Sequence, residues 1–190
     1  MPKKLLVFLC GCGILAYPFF IYFGIKFNLL KVLLPALAVL FIARIFCFKN
    51  LKGIKTLLAA VSALCATVIC IIALMADSER IARYYPVCVN AILFLLFGGS
   101  LFTDRPIITR LALLYDKTLP AYAINYTRIV TIVWVFFFLA NGAMAFITAQ
   151  FYTVEVWTLY NGFIAYILIG TLVGCEYLAR IIFRRIHERK

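Results

Sequence analysis

The chain has 190 residues, of which 66% are hydrophobic and 14% charged, whereas soluble domains have about 45–50% and about 25%. A soluble domain of this length has too much surface for its volume to bury so many apolar side chains, so we expect lipid to surround most of it. The net charge of +12 does not indicate nucleic-acid binding, because the basic residues flank apolar runs and form no continuous groove.

Six apolar runs are long enough to cross a hydrocarbon core of about 30 Å, which takes roughly 20 helical residues. Continuous apolar runs lack the alternation of a membrane barrel, so the sequence predicts an all-α, polytopic helical bundle. We expect a single integral membrane domain over the whole chain. The predicted spans are residues 5–25, 29–48, 56–76, 85–102, 129–149 and 157–182.

The first run begins after two lysines and is similar to a secretory signal peptide, with an LCGC stretch that ends at Cys12. A lipoprotein processing box usually has a small or β-branched residue where this chain has Cys10. The apolar run also continues to Ile25, so we expect a retained first span. Only three residues separate it from the second run, so a distorted hairpin is an alternative for this pair.

The distribution of positive charge predicts the orientation of the bundle. With six spans and the N-terminus inside, the inner segments hold fifteen Lys and Arg residues and the outer segments hold four. Cytoplasmic loops are enriched in these residues, so we expect both termini to be cytoplasmic. The basic C-terminal tail should lie at the anionic cytoplasmic leaflet.

The fourth and fifth predicted spans are joined by a segment rich in polar and charged residues. Thr103 or Asp104 is a suitable N-cap for a helix whose first turn accepts Pro106. Apolar residues at helical spacing predict a short amphipathic helix over about residues 105–117, lying in the membrane interface. Pro120 should end this helix and redirect the chain.

The same segment offers a candidate binding site. Arg105, Arg110 and Arg128 have guanidinium groups that can bind a phosphate or carboxylate bidentately, and Tyr126 lies two residues before Arg128. The plainer interpretation is an interfacial loop anchored by its tyrosines and arginines. Both interpretations remain open from the sequence.

Polar residues also mark one face of the fifth predicted span. Asn141 lies 13 residues after Arg128, so it should lie about 20 Å into the membrane, facing the bundle. Helix packing is the simpler role for it, and contact with a bound molecule is the alternative. The residues that share this face are Thr131, Trp134, Phe138, Asn141, Ala145 and Thr148.

The sixth predicted span carries a pair of opposite charges. Glu176 and Arg180 have the i, i+4 spacing and the order that favour an ion pair on a helix. Gly170 and Gly174 form a GxxxG spacing that allows a second helix to approach closely, either within the monomer or in a dimer.

The chain lacks the residue patterns of common enzymes. Its seven cysteines lie in apolar runs and its one histidine, His187, lies in the tail, so we expect neither a metal site nor structural disulfides. We find no P-loop, no GxGxxG and no close pair of intramembrane carboxylates. The sequence therefore predicts a protein without a catalytic site or a cofactor.

The second half of the chain is similar to two bacterial families. Residues of about 90–180 resemble the intracellular septation protein family, with departures at Ala145 and at Tyr160–Asn161. The residues that carry this resemblance are Pro106, Ile108, Arg110, Leu119, Pro120, Trp134, Phe137, Phe138 and Gly142. That family consists of small multi-pass inner-membrane proteins linked to cell division and envelope synthesis.

A closer resemblance is to an uncharacterised family of bacterial membrane proteins, often encoded beside acyl-carrier-protein and ketosynthase genes for aryl-polyene-type lipids. It is carried by the PIITR stretch that begins at Pro106, by Tyr126-Thr127-Arg128, Val130-Thr131, Trp134, Phe137 and Glu176-Tyr177. These resemblances imply an inner-membrane, envelope-associated role and supply no reaction. Because catalytic patterns are also missing, we expect a non-catalytic scaffold or accessory protein that supports envelope biogenesis, with a membrane-protein partner. The alternative is a carrier or binder of an acyl or isoprenoid-type lipid or of a small anionic molecule.

Overall fold

The computed structural model describes residues 16–48, 54–76, 78–114 and 119–188, which are almost entirely helical and contain no strand. The predicted all-α class is therefore confirmed for this part of the chain. Its elements are α1 (Tyr17–Lys26), α2 (Leu30–Phe48), α3 (Ile54–Met75), α4 (Glu79–Arg83), α5 (Tyr85–Ser100), α6 (Ile107–Ala112), α7 (Ala121–Phe151), α8 (Val154–Leu159), a π-helical segment (Tyr160–Ile164) and α9 (Ala165–Glu188).

Among the described residues, three helical stretches are long and apolar enough to cross a bilayer, and by length and composition they indicate a helical membrane protein. They coincide with the fourth, fifth and sixth predicted spans and cover Glu79–Ser100, Tyr122–Phe151 and Val154–Ile186. All three begin three to seven residues before the predicted runs, because the turns that precede the apolar residues are also helical.

The first three predicted spans are described less fully. The apolar stretches found in α2 and α3 are the shorter segments Leu30–Ala43 and Ala63–Met75. Most of the first predicted span, including Cys10 and Cys12, lies outside the described residues, and α1 covers only its last part.

The turn between α1 and α2 is a closely hydrogen-bonded helix ending. Asn28 has a φ of 55°, in the left-handed region that Asn tolerates better than most residues. The Asn28 N–H donates to Ile25 O at 3.3 Å, and the Leu29 N–H donates to Gly24 O at 2.8 Å. These are the two bonds of a Schellman ending, which lets α2 begin at once.

Within the described part of the chain, two apolar cores hold the bundle together. The first, where α1 meets α2, α3 and the start of α8, includes the buried Tyr17, Phe41, Cys70 and Trp157. The second lies between α5, α6 and α7 and is built on Phe97, Ile107 and Phe138. Outside these cores, much of α7 and α9 is exposed and apolar, as expected of helices that face lipid.

The short helix α6 differs from the predicted interfacial helix. It covers only Ile107–Ala112, and its N-cap residue is Pro106, whose side chain makes no capping hydrogen bond. The predicted cap by Thr103 or Asp104 is therefore wrong, because the Thr103 hydroxyl instead donates to Ser100 O at 2.7 Å, at the end of α5. Residues 115–117 of the predicted helix lie outside the described part of the chain.

Two residues of α6 are buried in the protein, which would not be the case for a helix that only lies on the membrane surface. Ile107 is buried and its N–H donates to the Ser100 hydroxyl at 3.1 Å. Thr109 is fully buried, and its hydroxyl shares a hydrogen bond of 2.7 Å with the hydroxyl of Thr127 on α7. One face of α6 is thus packed into the protein and fixes the connection between α5 and α7.

Candidate functional site

The three long apolar stretches define two ends of the bundle. Residues 100–114, 119–128 and 176–188 lie together at one end, where the Tyr126 hydroxyl donates to Glu176 O at 3.1 Å. We call it the basic end, and its described cations are Arg105, Arg110, Arg128, Arg180, Arg184 and Arg185. Residues 78–86 and 148–157 form the opposite end.

The three predicted arginines gather around the connection between α5 and α6. Arg110 donates from Nε to Arg105 O at 2.6 Å and from Nη2 to Thr103 Oγ1 at 3.1 Å. Arg128 donates from Nη2 to Leu101 O at 2.5 Å. Cations near the last carbonyls of a helix are favourable, so Arg128 stabilises the end of α5. All three side chains remain exposed, but Arg110 and Arg128 are held by the chain itself.

A cleft of about 340 Å³ lies beside these arginines, between the start of α7 and the second half of α9. We call it the basic-end cleft. Its lining includes the predicted Tyr126 but none of the three predicted arginines; the cations there are on α9. The side chains most relevant to binding are Pro120, Tyr122, Tyr126, Arg180, Phe183 and Arg184.

Aromatic rings form one wall of this cleft. The ring of Phe183 stacks on Tyr126, with 4.8 Å between centroids, and lies 6.0 Å from the ring of Tyr122. Together with the hydroxyl bond from Tyr126 to α9, these contacts join the start of α7 to the second half of α9. The cleft therefore combines an aromatic wall with cationic side chains.

The predicted ion pair of the last span is confirmed. Arg180 donates from Nε at 3.0 Å and from Nη2 at 2.5 Å to the same carboxylate oxygen, Oε1 of Glu176. A guanidinium has five N–H donors, so this pair uses two and orients Arg180 at the wall of the cleft. Glu176 is mostly buried, which fixes the pair to the helix surface.

The polar face predicted on the fifth span is also confirmed as a buried face. Thr131, Phe138, Asn141, Ala145 and Thr148 are all buried. Trp134 is partly buried, and its ring lies 6.5 Å from Phe97 and 5.4 Å from Phe138. Trp134 thus belongs to the aromatic core between α5 and α7.

Asn141 is the centre of a hydrogen-bonded chain across three elements. Its Nδ2 donates to Asn90 Oδ1 on α5 at 3.0 Å, and its Oδ1 accepts from the Tyr160 hydroxyl at 2.9 Å. Close by, Asn161 donates to Thr148 Oγ1 at 3.3 Å. The sequence reasoning missed Asn90, Tyr160 and Asn161, although a lone amide in an apolar span is the signal that pointed to Asn141.

The opposite end contains a second feature that the sequence did not indicate. Nη2 of Arg83 donates to Tyr152 O at 3.0 Å and also to Ala149 O, at the end of α7. The Trp157 indole N–H donates in turn to Arg83 O at 3.0 Å. The guanidinium thus satisfies carbonyls that the last turn of a helix leaves without partners, and Trp157 holds its backbone in place.

Neither a metal centre nor a known relative assigns a function to these features. Across the described residues, no group of three or more His, Cys, Asp and Glu side chains is placed to hold a metal ion. The chain matches no family model, no curated protein and no solved structure. The basic-end cleft is the feature of the described residues best suited to bind a ligand.

Proposed function

We propose that this protein is a non-catalytic, multi-pass protein of the bacterial inner membrane that supports cell-envelope biogenesis. Its specific task in this proposal is to hold an anionic lipid, of acyl or isoprenoid type, in the basic-end cleft. The envelope role rests on the sequence resemblances alone. The lipid-binding role is carried by one observation: a cleft with aromatic walls and two arginines at the end of the bundle richest in cations.

The chemistry of the lining favours an anionic amphiphile over a soluble anion. Arg180 and Arg184 can donate charge-assisted hydrogen bonds to a phosphate or carboxylate. Tyr122, Tyr126 and Phe183 provide an apolar surface beside them, which suits the first carbons of a lipid chain. A volume of about 340 Å³ is at the small end of ligand pockets, so a head group fits while the chain remains in the bilayer.

The proposed topology has six spans with both termini in the cytoplasm. Three apolar stretches are long enough to cross a bilayer, and residues 100–114, 119–128 and 176–188 share one end of them. That end holds more described Lys and Arg residues than the other, in line with a cytoplasmic position. Reporter fusions after Lys117 should read cytoplasmic, and a periplasmic reading would overturn this orientation.

The test of lipid binding uses two adjacent arginines. Arg184 lines the cleft whereas Arg185 does not, and both are exposed. Native mass spectrometry of protein reconstituted with phosphatidylglycerol, phosphatidylcholine or a polyprenyl phosphate would measure the lipid retained. We expect Arg184→Ala to weaken retention of the anionic lipids by about tenfold, since one charge-assisted hydrogen bond is worth about 1.5–3 kcal/mol. Arg185→Ala should have much less effect.

Equal losses in the two variants would show that the lipids respond only to overall charge, and would contradict a specific site. Equal retention of phosphatidylcholine and phosphatidylglycerol by the unmodified protein would contradict it as well. A preference for the polyprenyl phosphate over phosphatidylglycerol would assign the isoprenoid class, and the reverse would assign the acyl class.

A protein scaffold is the second candidate, and the outer surface of α9 favours it. A Cβ added at Gly170 or Gly174 would meet nothing within 4 Å, so this GxxxG face is open to another helix. Gly170→Leu with Gly174→Leu should abolish cross-linking to a membrane partner, whereas Leu at the exposed Ala179 should not. Unchanged cross-linking in the glycine variant would remove this surface from the scaffold proposal.

A further inference from the structure

A second cavity lies between α1, α5 and the start of α9, away from the basic-end cleft. Its volume is about 160 Å³, and it shares no lining residue with that cleft. The side chains that matter for its chemistry are Tyr17, Tyr85, Tyr166, Asn141, Asn161 and Ala165. Its described lining carries no charged side chain, so the cavity suits a neutral molecule.

The hydrogen-bond partners of the asparagines fix the orientation of their amides. A carbonyl can only accept, so the bonds to Pro86 O at 2.8 Å and to Trp157 O at 2.9 Å identify the amide nitrogens of Asn90 and Asn161. Asn90 Oδ1 must then accept from Asn141 Nδ2. With the amides oriented in this way, the hydrogen-bonding groups that remain available to a ligand in the cavity can be identified.

After these bonds are assigned, Asn141 has one unused N–H donor and Asn161 has one unused carbonyl acceptor. Asn141 Nδ2 has two N–H groups, and one of them is used by Asn90. Asn161 uses its Nδ2 for Trp157 O and Thr148 Oγ1, and within the described chain no donor reaches its Oδ1. A hydroxyl group both donates and accepts, so it matches this pair.

The size and the walls of the cavity indicate what kind of ligand would carry this hydroxyl group. An apolar cavity of about 150 Å³ is large enough to bind benzene, and this one measures about 160 Å³. Tyrosine rings at its walls favour an aromatic ring, through stacked or edge-to-face contacts. Asn161 belongs to the π-helical segment Tyr160–Ile164, and such segments occur frequently at functional sites.

We propose that the cavity between α1, α5 and α9 binds a neutral phenol-type ring, with Asn141 donating to its hydroxyl oxygen and Asn161 accepting its hydroxyl proton. The ring can belong to a free small molecule or to the aromatic head of a lipid. This inference is independent of the anionic lipid proposed for the basic-end cleft, which lies at the other end of α9.

The test compares two probes that differ in the hydroxyl group. Fluorine NMR of the purified protein in nanodiscs would measure the binding of 4-fluorophenol and of 4-fluorotoluene, with empty nanodiscs as the reference for partitioning into lipid. We expect 4-fluorophenol to bind at least about tenfold more tightly, because only its hydroxyl satisfies both amides. Equal affinities, or no signal beyond that of empty nanodiscs, would overturn the proposal.

Substitutions in the cavity test whether the probe binds there. Ala165→Leu should fill the cavity and abolish binding of 4-fluorophenol, whereas Ala179→Leu, at an exposed position of the same helix, should not. Asn161→Ala leaves the cavity open. It should weaken the binding of 4-fluorophenol by about tenfold and leave the binding of 4-fluorotoluene unchanged. Binding that survives both Ala165→Leu and Asn161→Ala would refute this location.

A longer probe distinguishes the two sources of the ring. Tighter binding of 4-octylphenol than of phenol, in competition with 4-fluorophenol, would support a lipid head group. Equal competition by the two would support a free phenol.

Discussion

Removal of the Asn141 amide should destabilise the bundle through the loss of two interhelical hydrogen bonds. Asn141→Ala leaves Asn90 Oδ1 and the Tyr160 hydroxyl without the partners that they have at 3.0 and 2.9 Å. Interhelical hydrogen bonds in membranes average about 0.6 kcal/mol and reach about 1.7 kcal/mol. The loss of two such bonds should lower the free energy of unfolding by about 1.2 kcal/mol, and by up to about 3.4 kcal/mol if both are strong.

A double-mutant cycle separates the bond between the two asparagines from other effects of truncation. Asn90→Ala, Asn141→Ala and the double variant would be unfolded reversibly in bicelles, and the coupling free energy calculated from the three losses. We expect a coupling of about 0.6 kcal/mol or more. Tyr160→Phe, which removes only the hydroxyl, should cost a similar amount.

The matched control is Asn125→Ala, which removes the same amide from an exposed position on α7. It should change the free energy of unfolding by less than about 0.5 kcal/mol. If Asn141→Ala costs no more than Asn125→Ala, or if the coupling with Asn90 is zero, the amide chain does not stabilise the bundle and our reasoning about it is wrong.

Two further predictions concern other contacts of the same helices. Arg83→Ala should lower the free energy of unfolding by about 2 kcal/mol, because a charged donor to the end of α7 is lost; the exposed Arg80→Ala is its control, and equal losses would contradict the capping role. Gly142→Ala should destabilise by about 1–2 kcal/mol, because its Cβ would lie 3.0 Å from Asn90 Cβ and overpacking exceeds the gain in helix propensity. Gly98→Ala, where an added Cβ meets nothing within 4 Å, should be neutral or stabilising in the same unfolding assay.

The sequence by itself determined the features that depend on local periodicity and composition. Long apolar runs require helices in lipid, so the all-α class and the three membrane-crossing stretches could be predicted. The 3.6-residue period placed Thr131, Asn141 and Thr148 on one face, which is buried. The spacing of Glu176 and Arg180 predicted their ion pair, because both residues lie on one helix.

Short connections were harder to predict, because competing side chains decide them. Thr103 is a good N-cap for α6 by residue type, but its hydroxyl donates to the end of α5 instead. Asn28 takes a left-handed conformation that closes α1, and the sequence indicated only that the turn there is tight. In both places, the residue type is compatible with several local structures. Contacts with the neighbouring helix determine which of them forms.

Only the tertiary structure decided which distant groups meet. It paired Asn141 with Asn90, 51 positions away along the chain, and directed Arg83 to the end of α7. It also lined the basic-end cleft with Arg180 and Arg184, whereas the sequence had favoured Arg105, Arg110 and Arg128. Helix periodicity states which face a side chain occupies, but the partner of that face depends on how separate helices pack.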